Sequence, residues 1–184
     1  MNDLSSIAPI HKKSIRRPWL WPVKLIGKFW LSPVQPGLWL INKFYQSILD
    51  INNDIPWMVH FTSCVTGNIA IGKGVWISFA VSGGCYIQGG NNIKIGDGTI
   101  FGPGVKIISA NHNPDNLHLW IPAEQINIGK NCWIGANALI LPGVKLGDNV
   151  TVGGGAVVTK SFPEGNCIIA GNPAILIKKK LLKE

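Results

Sequence analysis

The chain is poor in several things, and each shortage removes a class of protein. Only 14% of its 184 residues are charged, and no Asp or Glu occurs between positions 4 and 49. Its four cysteines, Cys64, Cys85, Cys132 and Cys167, show no paired spacing. That argues against a disulfide framework or a Cys-rich metal site and for reduced thiols in a cytoplasmic setting. Within the first 57 residues the longest run free of charge, 29–42, holds 14 residues and two prolines, short of the roughly 18–20 apolar residues a membrane span needs. No apolar run followed by a small-residue cleavage site marks a secretory signal. Branched aliphatics are plentiful, which excludes disorder, and 22 glycines point to a turn-rich β architecture.

What is present is a period of six. From 128 to 163 the first hexad position reads Ile128, Ile134, Ile140, Leu146, Val152, Val158, and the fifth reads Cys132, Ala138, Val144, Val150, Ala156, Phe162. A helix repeats near 3.6 and an amphipathic strand at 2, so neither gives this pattern. Six residues suit a β-solenoid in which each hexad supplies one short strand and one corner, and aliphatics stack coil on coil. Earlier hexads start at Val65 and keep register through Ile107, passing a glycine-rich part (Gly83, Gly84, Gly89, Gly90). The spacing from Ile107 to Ile128 is 21, out of phase by three, so a polar loop leaves the wall at 112–126. Loops on rigid scaffolds commonly carry function.

The expected organisation is a basic, aromatic, helical N-terminal extension over 1–57, the solenoid with its loop over 58–164, and a cap with a basic tail over 165–184. Five of eight tryptophans lie in the extension, with Lys12, Lys13, Arg16, Arg17, Lys24, Lys28 and Lys43. Residues 18–31 are mostly apolar, and 37–49 reads as an amphipathic helix with Leu38, Ile41, Tyr45 and Ile48 along one side. Two readings stay open: helices on an anionic membrane surface, involving 12–49, or helices that cap the first coil or pack on a neighbouring subunit. The net charge of +8 calls for an anionic partner, but no nucleic-acid motif accompanies it.

The run N-C-W-I-G-A-N-A-L-I-L-P-G-V-K-L-G-D-N-V-T-V-G-G-G-A-V-V-T-K, ending in A-G-N-P-A, resembles the hexapeptide-repeat O-acetyltransferases. The maltose and galactoside enzymes and their polysaccharide-modifying cousins are the nearest in pattern. The resemblance covers about 58–180 and implies an all-β fold, a left-handed parallel β-helix. It further implies a homotrimer, and acetyl-CoA held between subunits with no metal. By the family's pattern, His112 in Asn111-His112-Asn113-Pro114 is the general base. The chemistry suits an imidazole, because a sugar hydroxyl must lose its proton as the new C–O bond forms.

The same resemblance assigns the backbone amide of Ala136 to the oxyanion, and Ala136 with Gly154 to the pantetheine arm. Thr159 and Lys160 meet the adenine end, and Lys178 meets phosphate. Trp133 walls the cleft, while Asn111 and Ser78 fall on the acceptor side. Where the disaccharide enzymes place an asparagine and acidic residues, this chain has Ser78, Gly89 and Gly90. That favours a bulkier acceptor, such as a lipid-linked or nascent capsule, exopolysaccharide or O-antigen sugar, modified in the cytoplasm or at the inner face of its membrane. Alternatives are a small free acceptor (a simple sugar or serine), or a γ-class carbonic-anhydrase-like metal site. The last needs three histidines with two separated by four residues, and His112 and His118 are separated by five.

Overall fold

The structure is a computed structural model and describes residues 33–181. The 18–31 stretch and the six cations that precede position 32 lie outside the described residues.

Hexads become strands of two or three residues joined by tight corners, and three such strands make one circuit with three walls. The first wall holds the second half of β1 (Cys64–Ile71), the second half of β2 (Tyr86–Ile95), β7 (Ile126–Ile128) and β10 (Lys145–Leu146). Phe162 bridges to Leu146 at its upper edge. The second wall stacks β3 (Ile100–Phe101), β8 (Trp133–Ile134), β11 (Thr151–Val152) and β13 (Cys167–Ala170). The third stacks the first halves of β1 and β2, then β4 (Lys106–Ile108), β9 (Leu139–Ile140) and β12 (Val157–Val158). All these pairings are parallel. In the upper coils Trp133 pairs with Thr151, Leu139 with Val157 and Asn127 with Lys145, each 18 positions apart, so a circuit is three hexads.

The aliphatics at the first hexad position, Ile128 through Val158, are all buried, and so are Cys132, Ala138, Val144, Val150 and Ala156. Phe162 is only partly covered because no coil lies above it. At one corner Asn131, Asn149 and Asn166 stack with φ of 52°, 59° and 45°, a left-handed conformation asparagine tolerates. Beside them Gly129 lies so close to Gly147 that a β-carbon would come within 2.5 Å of its carbonyl carbon.

The lower coils depart from the expected uninterrupted hexads. Cys64 pairs with Tyr86 and Ile69 with Ile93, 22 and 24 positions apart. The extra length includes α2 (Trp76–Val81), which stands at the foot of the second wall. Phe79 and Cys85 are buried there, while Val81, a fifth hexad position in the register that starts at Val65, is exposed. The sequence phase survived because 24 is itself a multiple of six. At the upper end β14 (Ile175–Lys179) runs back antiparallel to β13.

Helix α1 (Pro36–Ser47) begins on a proline, whose fixed φ suits a first helical turn. Its buried side is not the expected Leu38, Ile41, Tyr45, Ile48 but Trp39, Asn42 and Gln46. Two amides set that rotation. Asn42 donates to Ala80 O (2.9 Å) and accepts from Phe61 N (3.0 Å). Gln46 donates to Trp57 O (3.0 Å) and accepts from Val59 N (3.1 Å). Buried backbone groups of the first coil need partners, and these side chains supply them.

Candidate active site

The interruption after β4 is a β-hairpin. β5 (Asn111–Asn113) and β6 (Asn116–Ile121) pair antiparallel, with Asn111 opposite Ile121 and His112 opposite Trp120. Asn113 Oδ1 closes the turn by accepting from Asp115 N (2.8 Å), and Pro114 presets its backbone. The Asn-Pro-Asp-Asn turn followed by alternating LHLWI is a hairpin signal that a reading as plain loop passes over.

The hairpin is moored from both sides. Below, Asn91 Nδ2 donates to Ser109 O (2.9 Å) and Ile121 O (3.2 Å), and Gln88 Oε1 accepts from Ala110 N (3.0 Å). Above, Lys145 Nζ meets Glu124 Oε2 at 2.7 Å, holding that carboxyl below its ordinary range. Trp120 is half-exposed and lies over the backbone of Gly90.

His112 is exposed on this hairpin. Its Nδ1 lies 2.7 Å from Leu117 O, and its ring meets Trp120 edge-on at 5.8 Å between centroids. A carbonyl only accepts, so in the neutral ring Nδ1 carries the hydrogen and Nε2 presents a lone pair to solvent. The ring is thus fixed in orientation and tautomer as a proton acceptor. His118 is exposed, with its backbone N donating to Asn116 Oδ1 (3.1 Å). His60 turns Nδ1 to Thr62 Oγ1 (2.9 Å) and stacks on Phe61, and burial lowers its pKa. It belongs to the foot of the solenoid.

The corner between the second and third walls carries Ala136 and Gly154, both exposed. Ala136 O accepts from Gly155 N (2.8 Å), while the Ala136 N–H makes no bond in the coil ladder. One circuit below, the equivalent position is Pro103, whose carbonyl accepts from Asn137 N (2.9 Å), so the ladder draws on the carbonyl at this position and not on an N–H. Trp133, 56% exposed, lies on the wall just before this corner. Lys178 is exposed on β14, opposite Ile168 of the same wall. Thr159 and Lys160 are exposed at the other corner, between third and first walls, with Lys160 Nζ 5.9 Å over the Phe162 ring.

The assigned residues therefore fall into two groups on one chain. Asn111, His112, Thr159 and Lys160 share the corner from which the hairpin springs. Trp133, Ala136, Gly154 and Lys178 share the second wall and the corner after it. Ser78 joins neither and is a correction: it is 4% exposed, within α2, with Oγ accepting from Phe101 N (3.2 Å). A hydroxyl buried and engaged in this way has no face for a diffusing sugar. Among the described residues no group of three or more His, Cys, Asp and Glu side chains converges as a metal site.

Three walls of short stacked strands, one to each six-residue repeat, with a hairpin carrying His112 and His118 interrupting them, define a left-handed parallel β-helix of the hexapeptide type. A family model for the hexapeptide repeat of succinyl-transferase matches residues 125–160. Nodulation protein L of Rhizobium meliloti (strain 1021) is 42% identical over 83 residues, 42% of either chain. A maltose O-acetyltransferase from Clostridium difficile 630 superposes with a TM-score of 0.53 at 32% identity, over 62% of this chain and 60% of that one. A hexapeptide-repeat acetyltransferase from Vibrio cholerae O1 biovar eltor, solved with acetyl coenzyme A, gives 0.50 at 25%, over 64% and 67%. Residues 125–160 carry the hexapeptide repeat, and the chain is similar to acetyltransferases built on it. It spans about two fifths of the length of the curated relative it matches.

Proposed function

We propose that the chain transfers acetyl from acetyl-CoA to a hydroxyl of a sugar, with His112 as general base. The observation that carries this is the fixed imidazole: Nδ1 held by Leu117 O leaves Nε2 as acceptor on a rigid hairpin. Nε2 takes the proton of the acceptor hydroxyl as its oxygen attacks the thioester carbonyl, and returns it as CoA thiol leaves. Negative charge then grows on the carbonyl oxygen, and the uncommitted Ala136 N–H is suited to receive it. Gly154, with no side chain, leaves the coil edge open to an extended pantetheine arm, while Lys160 and Lys178 offer cations to phosphates.

His112 and Ala136 sit on different corners of the coil, so a single chain does not bring base and amide together. A homotrimer, in which one chain's hairpin meets the next chain's corner, supplies the complete site. The acceptor is a sugar of surface polysaccharide, free or lipid-linked, met in the cytoplasm or at its membrane face. Residues 1–57, as an extension, present the enzyme to that acceptor.

The test is direct. Purified chain with acetyl-CoA and a panel of free and lipid-linked sugars is followed by mass spectrometry for one acetyl group. Transfer that disappears in His112→Ala supports the reading. No transfer to any sugar, or transfer unaffected by that substitution, overturns it.

A further inference from the structure

Helix α1 presents its apolar side outward. Trp39, Asn42 and Gln46 face the first coil, where the two amides fasten the helix by hydrogen bonds. On the opposite side, at spacings of one, four and eight, lie Leu40, Ile41, Phe44 and Ile48, between 44% and 65% exposed. These four do not seat the helix. Four large apolar side chains side by side on water mark a contact surface rather than scattered exposure.

The surrounding sequence limits what can cover them. Between positions 4 and 49 there are seven Lys and Arg and no acid, with six of the cations in the segment leading into α1. A second copy would bring a second segment of the same charge, seven cations and no acid by sequence, to the contact along with its own α1. A nucleic acid would satisfy the cations and leave the apolar row uncovered. An anionic bilayer accepts both, acyl chains under the apolar row and headgroups against the cations. None of the described helices is long and apolar enough to cross a membrane; α1, 12 residues long and packed on the first coil through one side, suits a contact in the plane of the surface.

We propose that Leu40, Ile41, Phe44 and Ile48 seat α1 in the headgroup–acyl boundary of an anionic lipid surface. This names the surface that would hold the proposed transferase beside a lipid-linked acceptor and rests on that reading only for the choice of acceptor.

Full-length chain is sedimented with phosphatidylcholine vesicles, with and without phosphatidylserine, at low and high salt. Expected is binding to the phosphatidylserine vesicles that weakens with salt and falls at least about tenfold in Phe44→Glu/Ile48→Glu. Both positions are exposed, and light scattering checks that the variant keeps its oligomeric state. Acetyl transfer to a soluble sugar is assayed in parallel, so lipid binding and catalysis can fail separately. The proposal is overturned by absence of binding, by binding the substitutions leave unchanged, or by a change of oligomeric state in the variant. That last result would make the face an interface between copies.

Discussion

The ring of Trp120 occupies the space a side chain on Gly90 would need. A β-carbon on Gly90 would lie 2.8 Å from Trp120 Cε3 and 3.1 Å from Ala110 Cβ. Because Trp120 is the cross-strand partner of His112, a glycine in a lower coil sets where the imidazole stands.

Gly90→Ala should therefore push Trp120 off its seat and lower kcat by tenfold or more, on the order of what a misplacement near one ångström costs. The melting temperature should hardly move, since the hairpin is outside the core. Gly90→Ala/Trp120→Ala should lose little more than Trp120→Ala alone, a coupling that a double-mutant cycle on kcat measures. Fully additive losses would separate the two residues.

His112→Ala removes the proton acceptor. Its kcat should drop roughly 10²- to 10⁴-fold while acetyl-CoA affinity, read by calorimetry, stays unchanged. A loss confined to KM would instead place the histidine in binding.

Ala136→Pro deletes one N–H at a position where the fold already accepts proline. Pro103 follows Gly102 one circuit below, just as Ala136 follows Gly135. The variant should fold and melt like the parent, yet lose about 10²- to 10³-fold in kcat if this amide receives the oxyanion. Circular dichroism and steady-state kinetics decide it, and an active variant excludes the amide.

Burial raises the thiol pKa of Cys85 and of Cys132. The folded state then holds these protons more tightly than the unfolded chain. Stability is complete below the unfolded thiol value, about 8.5, and declines as pH climbs through the raised folded values. Urea midpoints measured from pH 7 to 10 should fall in the alkaline half, and Cys132→Ala should flatten that fall. Exposed Cys64 should react with a thiol reagent in the native state before the other three.

Asn42→Ala leaves the Phe61 N–H and the Ala80 carbonyl buried without their partner. A loss of roughly 2–4 kcal/mol in urea unfolding is expected. Phe44→Ser, on the outer side of the same turn, should stay within about 0.5 kcal/mol. The reverse order would mean that the apolar side seats the helix.

How far these features could be read from sequence depends on whether they are local. Ile128, Ile134, Ile140, Leu146, Val152 and Val158 announce the upper coils because every hexad repeats the same demand. The histidine's loop announces itself by breaking phase between Ile107 and Ile128. By contrast, residues 76–81 fit a helix as well as the hexad register counted from Val65, in which Ile77 takes a first position and Val81 a fifth, so periodicity does not reveal α2. The buried side of α1 was misread because hydropathy expects Ile41 inside, while the first coil's unpaired backbone selects Asn42 and Gln46. Trp120 on Gly90, and Leu117 O on His112, are contacts between distant or folded-back positions that no periodicity encodes.

A pile of identical coils has no intrinsic length and can go on adding layers, from its own chain or from others. Here both terminal layers are mismatched to a further one. At the foot, Ser78 and Ser82 of α2 and its C-terminal edge bond Phe101 with hydroxyls (3.2 and 2.7 Å) where a strand would use its backbone. At the top, β14 reverses direction over the last parallel strand, and Ala174 N closes onto Val157 O. Along the second wall, a parallel strand from another copy therefore meets a helix at one end and a reversed strand at the other, which hinders end-to-end stacking where an unprotected solenoid would be prone to polymerise.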